Sequence, residues 1–280
     1  MTALPEEFSH AGASCRLYRG APSFEGLKTA AIGGLRCDSA QAGAALLAEA
    51  AALLRSEGYA ALLGPMDGDT WHSYRVVTES DGSAPFAMEP VSGPHDRAAL
   101  EAAGFAPVSS YASTRAALAD AIGAEAPKVA GITVVPWDGQ NADLLVGKLF
   151  DMSAASFADK AFFKPISKAA FLQLYLPMLP AIDPRLIFFA HDENGLIGFL
   201  FGLPNLLEGR QPQAAILKTY ASARPGVGHV LADTFHRAAR DLGFTAVIHA
   251  LMHVDNISLD RSRRHAAKVF RRYALMARRL

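Results

Sequence analysis

The sequence is poor in cysteine and has no excess of charge of either sign. Cys15 and Cys37 are its two cysteines, and neither lies in a C-x-x-C or other metal-type spacing. This pattern excludes a disulfide-stapled scaffold and a thiolate zinc site. Lys plus Arg number 27 and Asp plus Glu number 27, so the net charge is zero and no overall field favours nucleic acid. We therefore expect a reducing compartment and no nucleic-acid partner.

The sequence also lacks a recognisable targeting segment and a long uninterrupted apolar run. Residues 1–12 have neither a basic stretch nor an apolar core, so they do not predict a signal peptide. The most apolar stretch, Leu186–Leu207, is interrupted by His191–Asn194 and by Pro204, which argues against a membrane span. We expect a cytoplasmic protein with no membrane partner. The hydrophobic share of 51% and charged share of 19% predict an ample core.

The most informative stretch is a strand–turn–helix pattern over Ala214–Gly243. An apolar β-type run, Ala214–Ala221, is followed by a turn with two glycines, Arg224–Gly228. Apolar residues then recur at three- and four-residue spacing as far as Gly243, which predicts a helix. A glycine turn that opens a helix presents backbone N–H groups to an anion, and to phosphate in particular. The alternative is a connection that binds nothing, because two glycines in such a turn are common.

The rest of the second half predicts further alternating strands and helices. We expect strands at 132–137, 185–191, 196–203, 245–252 and 269–276, and helices at 141–157, 167–179 and from 256. Asn194-Gly195 between two apolar runs predicts a tight hairpin.

The first half repeats part of this order with a weaker pattern. We expect strands at 28–36, 59–63 and 108–114, helices at 40–57 and 98–103, and a short helix after Gly64-Pro65-Met66. Residues 1–27 show no clear pattern, and the Ala-rich residues 116–130 predict a linker. The sequence therefore predicts an α/β (α+β) fold with two mixed-sheet domains in tandem, at residues 1–120 and 128–280.

The turn resembles the pyrophosphate loop of the GNAT superfamily of acyl-CoA N-acyltransferases. Ala223–Gly228 aligns with the family pattern Q/R-x-x-G-x-G/A with both glycines in register, although Ala223 occupies the first position and Arg224 lies one place late. His253–Asn256 stands where the family has an asparagine near the pantetheine arm. Arg271–Leu275 and Gly64–Met66 are similar to segments of a bacterial subgroup with a two-part chain. The resemblance covers essentially the whole chain and implies two GNAT-like domains, of which the C-terminal one binds acyl-CoA.

The resemblance also implies acetyl-CoA as cosubstrate, no metal, and a set of site residues. The residues implied for the cosubstrate are Thr219, Tyr220, Ala221, Arg224, Gly226, Val227, Gly228, His229, Val230 and Asn256. Five consecutive N–H groups, from Gly226 to Val230, are expected to face the phosphates, although Pro225 has none. For the chemistry we expect Asn256 and His253 near the reacting groups and Tyr273 as the acid for the leaving thiolate. An exposed strand end for His253 and core packing for Tyr273 are the alternatives.

Two departures from the family pattern affect these expectations. GNAT enzymes often carry a glutamate base on the strand before the turn, whereas this strand offers Lys218, Thr219 and Tyr220. The corresponding turn of the first half contains one glycine, Gly43, so we expect that copy to be degenerate and structural.

Other residues are candidates for a pocket or a metal site. Aromatic and acidic side chains after Gly64–Met66 and after the first C-terminal helix predict either a substrate pocket or packing between the halves: Asp67, Asp69, Trp71, Tyr74, Phe157, Phe162 and Phe163. His249 and His253 would lie about 13 Å apart on one strand, at roughly 3.3 Å per residue, which is too far for one ion.

The end of the chain is basic. From Arg261 to Leu280 there are eight Lys or Arg and no Asp or Glu. We expect the first four of these cations, Arg261, Arg263, Arg264 and Lys268, to assist CoA capture, and Arg224 to clamp a phosphate. A solvated tail is the alternative.

Three functions remain open from the sequence. The first is an N-acyltransferase that moves an acetyl group from acetyl-CoA to an amine of a small molecule or peptide. The second is a non-catalytic CoA-binding or scaffold protein, which the missing glutamate favours. The third is a Fem-type aminoacyl transferase, since those enzymes also pair two GNAT-like domains. We expect a monomer or weak homodimer.

Overall fold

The computed structural model describes residues 4–280, which form one 12-stranded mixed sheet with packed helices. The strands are β1 (Glu6–His10), β2 (Ala13–Tyr18), β3 (Thr29–Cys37), β4 (Ala61–Gly64), β5 (Val76–Ser80), β6 (Ala106–Ala117), β7 (Thr133–Pro136), β8 (Ile187–Asp192), β9 (Gly195–Pro204), β10 (Ala214–Ser222), β11 (Ala246–His253) and β12 (Lys268–Arg279). The helices are α1 (Ala40–Ser56), α2 (Asp96–Ala102), α3 (Leu118–Ala121), α4 (Ala142–Phe157), α5 (Lys168–Tyr175), α6 (Val227–Asp241) and α7 (Ile257–Arg264). Within residues 4–280, no helix is both long and apolar enough to cross a bilayer.

The two halves share one arrangement of strands. In each half, antiparallel strands lead to a strand that pairs in parallel with the next one, and a helix makes the crossover between them. In the first half these are β3, α1 and β4; in the second they are β10, α6 and β11. The repeat predicted from the sequence is therefore present in the fold, and the α/β class with mixed sheets is confirmed.

The halves exchange their last strands. The sheet order is β1-β2-β3-β4-β12-β6-β11-β10-β9-β8-β7, with β5 also paired to β12. Thus β6, the last strand of the first half, pairs with β11 of the second half, and β12 pairs with β4 and β5 of the first. The interpretation of the basic end as a solvated tail is wrong, because β12 lies inside the sheet and its residues 273–277 are buried.

Several predicted elements match closely. Ser39 caps α1, and its hydroxyl accepts a hydrogen bond from the Ala42 N–H at 3.1 Å. The apolar stripe of this helix, including Leu46, Leu47 and Leu54, lies in the core of the first half. The Asn194-Gly195 hairpin joins β8 to β9 as expected.

Three expectations were wrong. Residues 1–27 contain β1 and β2, whose short alternating pattern was too weak to recognise. No helix lies between Met66 and β5 in the described chain: the Asp69 carboxylate accepts from the Trp71 and His72 N–H groups and holds a turn instead. The segment 116–130 is not all linker, because β6 continues to Ala117 and α3 follows. The domain boundaries at 120 and 128 stay a prediction.

Candidate functional site

The site begins where β10 and β11 separate. The two strands are paired in parallel from Ala214 opposite Ala246 to Leu217 opposite His249, and beyond this point they pair with other strands. Each strand has a bulge there. Between Leu217 and Thr219 the register with β9 shifts, so Lys218 is an extra residue on β10. The result is a gap in the middle of the sheet, next to the start of α6.

The start of α6 presents backbone close to this gap. Gly226 precedes the helix in the left-handed conformation, at φ 86°, which glycine adopts readily. A Cβ added to Gly228 would lie 2.8 Å from Arg261 Nη1 and 3.0 Å from Tyr220 Cε2. Because Gly228 has no side chain, Tyr220 and Arg261 approach the helix backbone there.

Fewer N–H groups are free at this helix end than the five expected. The Val227 N–H donates to the Arg224 carbonyl, and those of His229 and Val230 donate to the Gly226 carbonyl. Gly226 and Gly228 are the two of the five without an acceptor within residues 4–280. The expectation of five donors was therefore wrong, since the turn satisfies three of them itself.

Arg261, rather than Arg224, is the cation beside this backbone. Arg261 lines the gap from α7, and its Nε is buried with no partner among the described residues. Arg224 instead points away: Nη2 donates to the Ala130 carbonyl at 3.0 Å, and Nη1 lies 4.0 Å from Asp192 Oδ2. Two free N–H groups and an unpaired guanidinium fit the charge of a diphosphate. These residues therefore fit the phosphate end of CoA.

The gap opens into a cavity of about 710 Å³ that both halves of the chain enclose. The C-terminal half contributes aromatic side chains of α4, α5 and the intervening loop, among them Phe157, Phe163 and Phe171. The N-terminal half contributes the segment from Thr70 to Arg75. The cavity is large enough for a small substrate, and the first half of the chain forms one of its walls.

Trp71 both lines this cavity and joins the halves. Its Nε1 donates to the Lys164 carbonyl at 2.9 Å, and its ring meets Phe163 and Phe171 edge-on, with centroids 5.8 and 5.3 Å apart. Of the other candidates, Tyr74 also lines the cavity, whereas Asp67 pairs with Arg16 on the first half.

The remaining candidates fall outside the cavity lining. Phe162 stacks on Phe24, and the Asp69 carboxylate holds the turn before Trp71.

Lys218 is the titratable group at the point where β10 and β11 separate. The surrounding atoms bury its ammonium, and the nearby charge of Arg75 also disfavours protonation, so its pKa falls from 10.5 to about 8. The side chain keeps some accessible surface because it faces the cavity. Lys218 therefore occupies the strand where a glutamate base was missing.

A buried chain of polar side chains lies on the α6 side of the gap. His249 Nδ1 is 2.7 Å from Ser262 Oγ, and its Nε2 is 2.9 Å from His236 Nε2. Ser262 in turn contacts Thr114 at 2.5 Å. Burial lowers the pKa of His236 to about 2 and that of His249 to about 3, so both stay neutral. Within residues 4–280, no group of three or more His, Cys, Asp or Glu is arranged to hold a metal ion.

The residues expected to carry the chemistry are not all brought together. Asn256 and His253 line the cavity; Asn256 also caps α7 by accepting from the Ser258 N–H. Tyr273 does not line it. Its hydroxyl donates to Glu89, its oxygen lies 3.1 Å from Ser113 Oγ, and burial raises its pKa above the usual range of tyrosine.

The residues implied for the cosubstrate are likewise divided. Thr219, Tyr220, Gly228 and His229 line the cavity, as does Asn256. The others lie outside the lining; they are Ala221, Arg224, Gly226, Val227 and Val230.

Three functional candidates were missed in the sequence: Arg75, Tyr111 and Ser262. Arg75 and Tyr111 belong to the first half, and strand exchange brings them to the gap of the second. Ser262 lies within the basic segment, between Arg261 and Arg263, where the charges give a stronger signal than a hydroxyl. Tyr74 was noted because it is aromatic, and its neighbour Arg75 gave no comparable signal.

Comparisons with known proteins agree with this architecture. No protein-family model matches the sequence, and no curated protein matches it. A tandem GNAT protein from the clavulanic acid biosynthesis pathway is similar in structure, with 17% identity, a TM-score of 0.58, and coverage of 95% of this chain and 78% of that chain. A GCN5-related N-acetyltransferase from Sphaerobacter thermophilus has 13% identity and a TM-score of 0.55, with coverage of 96% and 77%.

A third similar structure is a probable N-acyltransferase of unknown function from Enterococcus faecalis V583. It has 10% identity and a TM-score of 0.55, and the match covers 96% of this chain and 59% of that chain. At such identities the likeness shows the fold and leaves the activity to be argued from the site. The chain has the tandem GNAT fold.

Proposed function

We propose that this chain is an N-acyltransferase that uses acetyl-CoA as donor and a primary amine as acceptor. The observation that carries the proposal is the separation of β10 and β11 beyond Leu217 and His249, directly beside the start of α6. One gap thereby connects an anion-suited helix end to an enclosed cavity. An acyl donor that carries phosphate at one end and its reactive group at the other end fits such a connection.

Gly226, Gly228 and Arg261 would hold the phosphate end of the donor. When bound, acetyl-CoA supplies an acyl group activated as a thioester. Tyr220 lies against Gly228, and its hydroxyl donates to Ser258 Oγ at 3.2 Å, so it borders the path from the phosphate end to the gap.

Lys218 is the group that we assign to proton removal. A lysine with a pKa of about 8 is partly neutral near physiological pH, and the neutral amine accepts a proton from the ammonium of the acceptor. This restores the lone pair of the acceptor nitrogen. The missing glutamate favoured a non-catalytic scaffold, but a titratable lysine in its place favours an enzyme.

We assign to the Tyr111 phenol the donation of a proton to the leaving thiolate. It lies on β6, the strand beside β11, and its ring contacts His253 edge-on at 5.1 Å. Its hydroxyl accepts a hydrogen bond from Ser109 Oγ at 2.8 Å, which leaves its own proton available to the cavity.

The test is release of free thiol from acetyl-CoA in the presence of a panel of small amines and amino-terminal peptides. Gly228→Glu, which blocks the phosphate end, is the matched inactive control. Turnover above this control supports the proposal. Calorimetric binding of acetyl-CoA with no thiol release above the control on the whole panel would instead favour the scaffold. Aminoacyl ester donors, with formation of the aminoacylated amine as the readout, test the Fem-type alternative.

A further inference from the structure

Arg75 is a buried cation in the cavity wall with an incomplete set of partners. The residue is 7% exposed. Nη2 donates to the Tyr74 hydroxyl, and Nη1 is 3.5 Å from the Leu251 carbonyl. The guanidinium carbon lies 3.9 Å from the ring centroid of Tyr74 and 3.7 Å from that of Tyr111. Nε is buried and has no partner in the described chain.

The backbone that presents Arg75 is strained. Its φ of 89° lies in a region that residues with a Cβ rarely adopt. Leu251, whose carbonyl faces Arg75, has a φ of 58° at the bulge of β11. Arg75 and Leu251 are two of the eight described non-glycine residues with positive φ, and both lie where the guanidinium meets the gap; strained backbone is often found at functional sites.

No carboxylate within residues 4–280 neutralises this guanidinium. Two carboxylates line the cavity, Glu89 and Asp159. Glu89 is already engaged, because it accepts from Arg271 Nη1 at 2.6 Å and from the Tyr273 hydroxyl. Asp159 is exposed and has no ion pair with Arg75. A buried charge without a counter-ion is costly, so an anionic ligand at this position would be stabilised.

Arg75 and Lys218 differ in how they respond to burial. Lys218 can lose its proton near neutral pH, as its pKa of about 8 indicates. Burial lowers the pKa of Arg75 only to about 10, so Arg75 remains charged there. Of the two cations, Arg75 is therefore the one that needs an anion, and its planar fork of N–H donors suits carboxylate or phosphate.

We propose that the acceptor is an amine that also carries a carboxylate or phosphate group, and that this group binds Arg75 while the amine lies near Lys218. The aromatic wall formed by Trp71, Phe163 and Phe171 accommodates an apolar part of the same molecule. The position of the amine rests on the proposed function. The anion site rests on Arg75 alone and is tested separately.

The first experiment measures binding without any acyl donor. Three ligands with the same apolar body are titrated calorimetrically: 3-phenylpropanoate, 2-phenylethylphosphonate and the neutral 3-phenylpropanamide. We expect the carboxylate, the phosphonate or both to bind the parent protein about 10- to 100-fold more tightly than the amide, the range for a charge-assisted hydrogen bond. The stronger of the two anions identifies the source of the charge. Equal affinity for all three ligands would overturn the proposal.

The second experiment compares variants of two arginines of the first half. Arg75→Gln should remove the preference for the anion, and Arg75→Lys should keep part of it. Arg55→Gln, at an exposed position of α1, is the matched control and should bind like the parent. The thermal unfolding transition of each variant, compared with that of the parent, reports whether the variant is folded, and CoA binding is measured separately. If Arg75→Gln is folded and keeps the full preference for the anion, or loses CoA affinity specifically, Arg75 does not hold the acceptor. If this variant does not fold, the ligand comparison in the parent protein decides.

A measurement of turnover distinguishes failure of this inference from failure of the proposed function. L-Phenylalanine and phenethylamine differ by the carboxylate, and we expect a kcat/KM at least about tenfold higher for the amine with the carboxylate. Anion binding without any turnover would contradict the acyltransferase and leave the anion site standing. Turnover with a preference for phenethylamine would contradict the anion site and leave the acyltransferase standing.

Discussion

Tyr111 of β6 and Tyr273 of β12 are register partners in the antiparallel pair at the centre of the sheet, yet Tyr111 lines the cavity and Tyr273 does not. Tyr273 is one strand further from the gap and is 1% exposed. Its proton is directed to Glu89, so it has no path to a leaving group in the cavity. The exchange of strands therefore transfers to Tyr111 the position expected for the tyrosine of the last strand.

We predict that Tyr111→Phe and Tyr273→Phe have different effects. Loss of the Tyr111 hydroxyl removes the proposed proton donor, so kcat should fall about 100-fold or more while the protein stays folded. Loss of the Tyr273 hydroxyl leaves the buried Glu89 with one partner fewer, and should lower the free energy of unfolding by about 1–3 kcal/mol. Steady-state kinetics and denaturant unfolding measure the two quantities. A larger loss of kcat in Tyr273→Phe would contradict the assignment.

Gly228→Glu should abolish CoA binding. The added side chain would enter the space next to Arg261 and Tyr220 and place a carboxylate where phosphate is proposed to bind. Gly123→Glu is the matched control, because Gly123 is exposed and a Cβ there has an ordinary contact of 3.6 Å. Gly43 is unsuitable as a control, since its Cβ would lie 2.6 Å from that of Ala99. Calorimetry with CoA measures the effect; equal binding by both variants would refute the phosphate site.

Arg261→Ala should weaken CoA binding by about 1–3 kcal/mol, the range for a hydrogen bond to a charged group. Arg224→Ala should change it little, because Arg224 already contacts Ala130 and Asp192. This reverses the expectation from the sequence, which favoured Arg224. Titration with CoA at low and moderate salt distinguishes the effects of the two variants, because a contact between a cation and phosphate that is exposed to solvent weakens as the salt concentration rises. A larger loss in the Arg224 variant would restore the original expectation.

The sequence predicted the elements better than it predicted their neighbours. Periodicity and caps located α1, α6 and the β8–β9 hairpin because these depend on local residues. Which strand lies beside β11 depends on pairing between residues more than a hundred positions apart, as for Tyr111 and His253. No pattern of neighbouring residues in the sequence indicates such long-range pairing. The glycine turn before α6 was therefore recognisable, whereas the contributions of Arg75 and Tyr111 to the cavity were not.

The pH dependence of acyl transfer should report Lys218. Because the neutral amine is the active form, kcat/KM should rise with pH and level off above about 8. Arg75, whose charge acts on Lys218, keeps that charge below about pH 10, and His249 and His236 stay neutral above about pH 3, so none of them gives this inflection. Lys218→Met should lower kcat about 100-fold or more and remove the inflection. An unchanged profile in that variant would exclude Lys218 as the base.

Lys218 should also make the free energy of unfolding depend on pH in a defined direction. The pKa of Lys218 is about 8 in the folded chain and 10.5 at its ordinary value, so between these pH values the unfolded chain binds more protons. The contribution of Lys218 to the free energy of unfolding therefore rises from pH 8 to pH 10.5. Denaturant unfolding of the parent and of Lys218→Met over this range measures it. The difference between the two proteins should change with pH, and a constant difference would contradict the lowered pKa.

The exchange of last strands should make the two halves unfold together. β12 pairs with β4 and β5 of the first half and with β6, which continues the sheet to β11 of the second. Neither half keeps a complete sheet if the other unfolds, so calorimetry should show one transition with equal calorimetric and van't Hoff enthalpies. Leu62→Ala on β4 and Ile248→Ala on β11 remove fully buried side chains and should each cost about 2–5 kcal/mol. Each variant should shift the whole transition to lower temperature. If either one splits the transition or moves only part of it, the halves are independent folding units and the shared sheet does not couple them.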